Sequence, residues 1–256
     1  MALLETKKLT KAFGGLAAVS EVDVSVNAGE ILGLIGPNGA GKTTFFNLIS
    51  GLYRPTQGEI HFKDKAVQGF HGYQMAQVGI ARTFQNIRLL SNLSVLDNVL
   101  LGSFTRGKTG LWGAILKGRR VRNEEQRLRK ESLEQLTLVG LQDYASHLAG
   151  ALSYGQQRKL EIARALALFP EILLLDEPTA GMNAEEVEEI MALVRHLKSL
   201  NKTVIIIEHN MHLVMNLCER IVVFDHGLKI ADAVPEKIQA NPQVIEAYLG
   251  KGGKHD

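Results

Sequence analysis
The stretch Ile31-Leu32-Gly33-Leu34-Ile35-Gly36-Pro37-Asn38-Gly39-Ala40-Gly41-Lys42-Thr43 carries two readings at once. Its first part is a short apolar run between Gly29 and Gly36, the pattern of a strand buried on both faces. Its second part, Gly36 to Thr43, fits the phosphate-binding pattern G-x-x-x-x-G-K-[ST] at every position. Glycines there let the backbone curl so that its N–H groups face phosphate oxygens. Lys42 brings a cation to the β and γ phosphates, and the Thr43 hydroxyl is placed to ligate Mg²⁺. A helix is expected next, because Phe45, Phe46, Leu48 and Ile49 recur at helical spacing between Thr43 and Ser50. Gly51 suits the C′ position that ends it.

On the N-terminal side, Val22, Val24 and Val26 alternate on one face of a strand. On the C-terminal side, apolar runs return at Ile172 to Leu175, Val204 to Ile207 and Ile221 to Phe224. Buried strands alternating with helical pattern predict a parallel α/β sheet. Between about Leu93 and Gly150 such runs disappear and charged helix formers dominate, notably from Arg119 to Glu134. Leu128, Leu133 and Leu136 supply the expected apolar stripe. The chain therefore divides into a first core part (1–92), an inserted helical subdomain (93–158), a second core part (159–233) and a helical tail (234–256). The last residues, Lys251 to Asp256, are expected to fray.

Several polar residues fall at the ends of these runs. Asp176 closes Ile172 to Leu175, where a sheet presents its carboxyl ends to ligands, and an acid there can hold Mg²⁺ directly or through water. Glu177 follows and is placed to polarise an attacking water as general base. His209 follows Val204 to Ile207 and Glu208, placed to hydrogen-bond a γ-phosphate. Gln85, in Thr83-Phe84-Gln85-Asn86, marks the passage into the helical insert, where its amide can reach Mg²⁺ or the water. Ser153 is a good N-cap for the helix after Leu152-Ser153-Tyr154-Gly155-Gln156-Gln157, and Gly155 lets a ligand approach its positive end.

Composition narrows the class. Of 256 residues 45% are hydrophobic and 22% charged, so a sizeable core forms without disulfides. A net charge of +2 does not point to nucleic acid. Cys218, the single cysteine, reads as a small buried hydrophobe and fits a reducing cytosol. No apolar core of a signal peptide follows Met1 to Lys8, and no run of about 18 uncharged apolar residues would span a membrane. Work at a membrane would need a partner to supply the spanning part.

With these motifs in order, the sequence resembles the ATP-binding cassette family from end to end. That resemblance implies an α/β P-loop core with an antiparallel β subdomain and an inserted helical subdomain. It implies adenine stacking on Phe13 and ATP binding by Gly36, Pro37, Asn38, Gly39, Ala40, Gly41, Lys42, Thr43 and Thr44. It places Mg²⁺ at Thr43, Gln85 and Asp176, and catalysis at Glu177, His209 and Gln85. Ser153, Tyr154, Gly155 and Gln156 would form the signature loop that meets ATP on a facing second cassette, and Ala180 to Asn183 the D-loop.

More narrowly, the chain is similar to the ATP-binding subunit of branched-chain amino acid importers, of the Liv-type G kind. The likeness lies in Phe13-Gly14-Gly15-Leu16, Arg82 to Leu89, Leu152 to Arg158, the insert Gly102 to Arg120 and the ending Ala247-Tyr248-Leu249-Gly250. It implies ATP-driven import at the cytoplasmic face of the membrane. The expected partners are a second, related cassette, two membrane-spanning permease subunits and, indirectly, an external amino-acid-binding protein. Lipopolysaccharide- or urea-type transport ATPases share the tail and stay open as alternatives; a soluble non-transport ATPase of this family fits less well. Two residues depart from the family pattern: Tyr154 stands for the usual signature glycine and Asn183 for the D-loop aspartate. The apolar-then-basic stretch Gly110 to Leu116, with Trp112 and Ile115, reads as a partly buried surface hairpin or loop, with permease or lipid contact as the sharper alternative.

Overall fold
A computed structural model describes residues 2–84, 87–104 and 119–249. Along the chain run β1 (Ala2–Phe13), β2 (Leu16–Asn27), β3 (Ile31–Ile35), α1 (Lys42–Ile49), β4 (Gln57–Phe62), β5 (Lys65–Ala66), α2 (Gly72–Val78) and β6 (Ile80–Arg82). Next come α3 (Val95–Phe104), α4 (Arg119–Leu138), α5 (Tyr154–Leu166), β7 (Ile172–Asp176), α6 (Ala184–Ser199) and β8 (Thr203–Ile207). The chain continues through α7 (Met211–Leu217), β9 (Arg220–Asp225), β10 (Leu228–Ala233), α8 (Pro235–Gln239) and α9 (Pro242–Leu249).

Two sheets result. One is antiparallel, in the order β2-β1-β4-β5; the other has the order β10-β9-β3-β8-β7-β6 and is parallel except for β10. The uninterrupted apolar runs became β3, β7 and β8, and every residue in those three strands is buried. Pleating sends alternate residues to opposite layers. Ile31, Leu173, Leu175, Val204 and Ile206 pack with Ile190 and Val194 of α6, whereas Leu32, Leu34, Leu174, Ile205 and Ile207 pack with Phe45 and Phe46 of α1 and with the antiparallel sheet. Each such side chain contributes about 1.5–3 kcal/mol by leaving water. Gly33 leaves room for Cys218, whose Sγ lies 2.9 Å from where a Cβ at Gly33 would sit. Cys218 is buried, as its sequence context suggested.

Some elements differ from their sequence pattern. In α4, Leu128 and Leu136 are buried but Leu133 is 36% exposed. The buried row follows the spacing i, i+4, i+8 and takes Ser132, which meets Ser103 of α3 at 3.2 Å across the helix pair. Helix α5 runs through position 158, so the second core part and the helical insert share one helix. The three-residue strand β6, with an arginine at its end, had no apolar run to reveal it. Among the described residues no helix is long and apolar enough to cross a membrane. Gly110 to Leu116 and Gly250 to Asp256 lie outside the described residues.

The register Leu34↔Ile207 and Asp176↔Ile207 aligns the carboxyl ends of β3, β8 and β7. The loops after these three strands therefore open onto one edge of the sheet.

Candidate active site
The loop after β3 is shaped by close backbone packing. Gly36 has φ 145°, and a Cβ there would lie 2.1 Å from the Phe224 carbonyl oxygen. Gly41 has φ 101°, and a Cβ there would lie 2.3 Å from the Ala18 carbonyl oxygen, so neither position accepts a side chain. Pro37 and Ala40 close a turn (Ala40 N–H to Pro37 O, 3.2 Å) that leaves Asn38 and Gly39 exposed at its tip. Around Gly39 nothing lies within 4 Å of a Cβ position, so the tip of the loop is uncovered. Helix α1 starts at Lys42, with no acidic residue in its first turn and no side-chain cap, and Thr43 and Thr44 sit in that turn. Its N–H groups and positive dipole end suit an anion.

Lys42 is buried, and Nζ donates to the carbonyls of Gly36 (2.7 Å) and Pro37 (2.8 Å). Burial pushes its ammonium below the usual lysine range, and the Glu177 carboxylate pulls the other way. A lysine so held spans the loop and keeps one donor for a phosphate.

Asp176 ends β7, and its Oδ2 accepts from Arg82 Nη2 at 2.7 Å. Glu177 adopts φ 46°, a strained conformation for a residue with a side chain, and its N–H donates to Ile207 O at 2.9 Å. Its Oε1 lies 3.1 Å from His209 Nε2. Asp176, Glu177, His209 and Lys42 thus gather at the shared sheet edge, as their positions after the strands foretold.

Glu208 had drawn no role from the sequence, yet it organises this edge. Its Oε1 accepts from the N–H (3.0 Å) and hydroxyl (2.5 Å) of Thr179, and Oε2 from the N–H groups of His209 (3.0 Å) and Asn210 (3.2 Å). One buried carboxylate thereby fixes the loop that carries Glu177 against the loop that carries His209. An acid between a buried strand and a histidine was the available signal.

Ser153 to Gln156 engage other partners. Ser153 Oγ accepts from the Gln156 N–H (3.3 Å), while Gln156 Oε1 accepts from the Ser153 N–H (3.0 Å), a reciprocal cap for α5. Gly155 is buried, and a Cβ there would lie 2.6 Å from Glu186 Oε1 of α6. Tyr154 is 44% exposed and faces Gly181, with its hydroxyl 3.3 Å from Arg158 Nη2. Asn183 caps α6 through the Glu186 N–H at 3.0 Å.

Behind this loop, Arg158 and Glu161 form a buried pair that holds both backbone groups of Phe84. Arg158 Nη1 donates to Phe84 O (2.8 Å) and to Glu161 Oε2 (3.1 Å), and the Phe84 N–H donates to Glu161 Oε1 (3.3 Å). Burial pushes the Glu161 carboxyl upward against these bonds. Gln85 itself lies outside the described residues.

Phe13 is 46% exposed at the end of β1, edge-on to Tyr53 with ring centres 5.5 Å apart and Lys11 Nζ 5.1 Å from its own. Tyr53, which the sequence had not singled out, doubles the aromatic surface. At the far end of the chain, burial pushes the Tyr248 phenol upward, with the Gly36 backbone opposing the shift.

Comparison with known proteins agrees with this arrangement. The family model for the ABC transporter family matches residues 19–180, and that for the branched-chain amino acid ATP-binding cassette transporter matches residues 229–254. The high-affinity branched-chain amino acid transport ATP-binding protein BraF of Pseudomonas aeruginosa is 43% identical over 97% of this chain and 98% of its own length. LivG of Escherichia coli, which carries the same description, gives the same figures. Among solved structures, a nucleotide-free ATP-binding cassette from an ABC transporter superposes with TM-score 0.86 at 32% identity, covering 98% of this chain and 100% of that one. The parallel sheet, the antiparallel sheet beside it and the phosphate loop between them are those of a cassette: this chain belongs to the ABC transporter family and is an ABC-type ATPase.

Proposed function
We propose that this chain powers the import of branched-chain, hydrophobic amino acids by binding ATP with Mg²⁺ and hydrolysing it. The observation that carries the reading is the 43% identity to BraF and LivG along nearly the whole chain. The cluster of Lys42, Asp176, Glu177 and His209 at one sheet edge supports the ATPase half.

The donor set fits the metal. The Thr43 hydroxyl and the Asp176 carboxylate are hard oxygen donors, and Mg²⁺ is usually held by one or two such groups together with substrate phosphates. When bound, the ion neutralises charge on the β and γ phosphates. Everything else falls to the chain's own groups. The curled loop from Gly36 to Gly41 and the start of α1 bind the phosphates through N–H groups, and Lys42 adds its charge. Phe13, backed by Tyr53, stacks on adenine. Glu177 orients a water and takes its proton as the water oxygen bonds to the γ-phosphorus and the bond to the bridging oxygen breaks. ADP and phosphate leave. His209, 3.1 Å from Glu177, donates toward the γ-phosphate and keeps the two side chains aligned. Positioning and charge supply most of the rate.

In this reading Gln85 completes the metal site, and residues 93–158 form the subdomain that passes motion to the membrane. Ser153 to Gln156 meet ATP bound to a second, related cassette. Two permease subunits hold the pair at the cytoplasmic face of the membrane, and an external amino-acid-binding protein delivers the substrate. The test is a pull-down from native membranes with a tagged Glu177→Gln chain and ATP. Recovery of a second cassette, two multispanning permeases and an amino-acid-binding protein is expected. Lipopolysaccharide- or urea-transport components, or no membrane protein at all, would overturn the substrate assignment.

A further inference from the structure
Arg82 ends the otherwise apolar β6, and only 8% of its side chain is exposed. A guanidinium buried so far needs partners for its donors. Nη2 donates to Asp176 Oδ2 at 2.7 Å, while Nη1 donates to Asn47 Oδ1 at 2.5 Å and Ser50 Oγ at 3.0 Å. Its central carbon lies 5.1 Å from the Phe46 ring centre and 5.4 Å from that of Phe84. Asn47 and Ser50 belong to the end of α1, the helix whose first turn carries Lys42 and Thr43. Asp176, only 6% exposed at its side chain, belongs to β7. Arg82 therefore bridges the two elements that supply the oxygen donors described above.

A buried ion pair is poor grounds for inferring stability, because apolar groups of similar volume often do as well. An apolar group has no means of fixing which way a carboxylate points or how far it sits from a neighbouring helix. The planar fork of arginine does both, and a lysine, as a point charge with one terminal nitrogen, does not.

We propose that Arg82 is the positioning residue of the metal site: it holds Asp176 by one oxygen at a set distance from α1, so that the other oxygen and the Thr43 hydroxyl face a common point. The inference rests on reading Thr43 and Asp176 as the metal's protein ligands. Two physical effects of Arg82 have opposite signs, and this makes the inference decidable. Its charge repels a divalent cation nearby, so on electrostatics alone its removal would tighten metal binding. Its fork orients a ligand, and losing such an orienting partner weakens metal binding by about 10–100-fold.

The experiment compares the affinity of the full-length chain for a fluorescent ADP analogue in Mn²⁺ and in excess EDTA; the ratio isolates the metal's share without any turnover. In Arg82→Met the ratio is expected to fall at least about tenfold, with the EDTA affinity within about twofold of the parent. Arg82→Lys is expected to stay near Arg82→Met. Because Arg82→Met can fail to fold, a paired Asn47→Ala, Ser50→Ala chain keeps the ion pair but cuts its anchor on α1, and its ratio is expected to fall by about threefold or more. An unchanged or increased ratio in these chains, with only the melting temperature lowered, would overturn the inference and leave a structural ion pair. An Asp176→Asn chain with the parent's ratio would instead sink the metal-ligand reading itself, and the inference with it.

Discussion

Replacing Glu208 by glutamine keeps its volume and tests whether one carboxylate holds the two loops of the site. Four donors converge on that carboxylate: the Thr179 N–H and hydroxyl on Oε1, and the His209 and Asn210 N–H groups on Oε2. An amide offers one oxygen and one NH₂ group, so whichever way it turns, at least one backbone N–H faces another donor. Turned toward Thr179, the NH₂ group would strand the N–H of a residue only 5% exposed, although the hydroxyl can turn to accept from it. Turned toward His209 and Asn210, it faces groups that water can partly solvate, and this orientation wins. Hydrogen bonds to a charged acceptor contribute about 1.5–3 kcal/mol each, so losing two with partial replacement by water costs about 2 kcal/mol. Glu208→Ala also strands both Thr179 donors, at about 1–3 kcal/mol each. If the loops then separate by about 1 Å, Glu177 and His209 leave their alignment and kcat falls by about 10²-fold. Urea unfolding of the full chain and ATPase rate at saturating ATP measure the two effects. A Glu208→Gln chain with the parent's urea midpoint and a kcat within about twofold would refute the reasoning, because the loops would then be held by something else.

Three further outcomes are expected. Phe13→Ala is expected to raise KM for ATP about tenfold with kcat little changed, since stacking one base on an aromatic ring contributes about 1–3 kcal/mol; an unchanged KM would remove the ring from the adenine site. The Cys218 thiol, pushed up to about 12 by burial with Glu208 and Glu219 adding to the shift, is expected to resist thiol reagents at pH 8 and to react at the rate of unfolding in urea, and fast labelling of the native chain would contradict that. Asp232 is the third case. Its carboxyl sits below the usual range despite burial, because Arg220 and Lys229 bond to it. A depressed carboxyl contributes stability above its unfolded value and loses it as pH falls through the folded one. The urea-midpoint gap between parent and Asp232→Asn is therefore expected to be full at pH 7 and to close below about pH 4, whereas a constant gap would mean the pair acts only through shape.

The strands were legible in the sequence because a strand buried on both faces has to be apolar throughout, and β3, β7 and β8 are. Gly36 to Thr43 was legible because close backbone approach admits only glycine at two of its positions. What stayed hidden depends on partners far along the chain. Arg82 and Asp176 stand 94 residues apart, and Phe84 and Glu161 stand 77 apart, so no local pattern announces either contact. Gly155 was read for its approach to a ligand, and no local pattern announced its second neighbour, the Glu186 carboxylate of α6. Leu133 was assigned to the buried stripe of α4, whereas the buried row passes through Ser132, whose hydroxyl has its partner on α3. Glu208 passed for an ordinary loop acid because its four donors come together only when the ends of β7 and β8 lie side by side.

The grip of Arg158 and Glu161 on Phe84 has a mechanical consequence. A hydrogen bond tolerates only a few tenths of an ångström of stretch before it weakens steeply. If the start of α5 is drawn an ångström or two toward a partner's nucleotide, the peptide at Phe84 has to travel with it or the pair has to come apart. Breaking a buried pair by removing one member costs about 3–5 kcal/mol, whereas coupling between distant sites typically runs at about 1–3 kcal/mol. The joint is thus stiffer than the signal it would carry. It acts as a rod with no slack between the start of α5 and the end of β6, which Arg82 ties in turn to the end of α1.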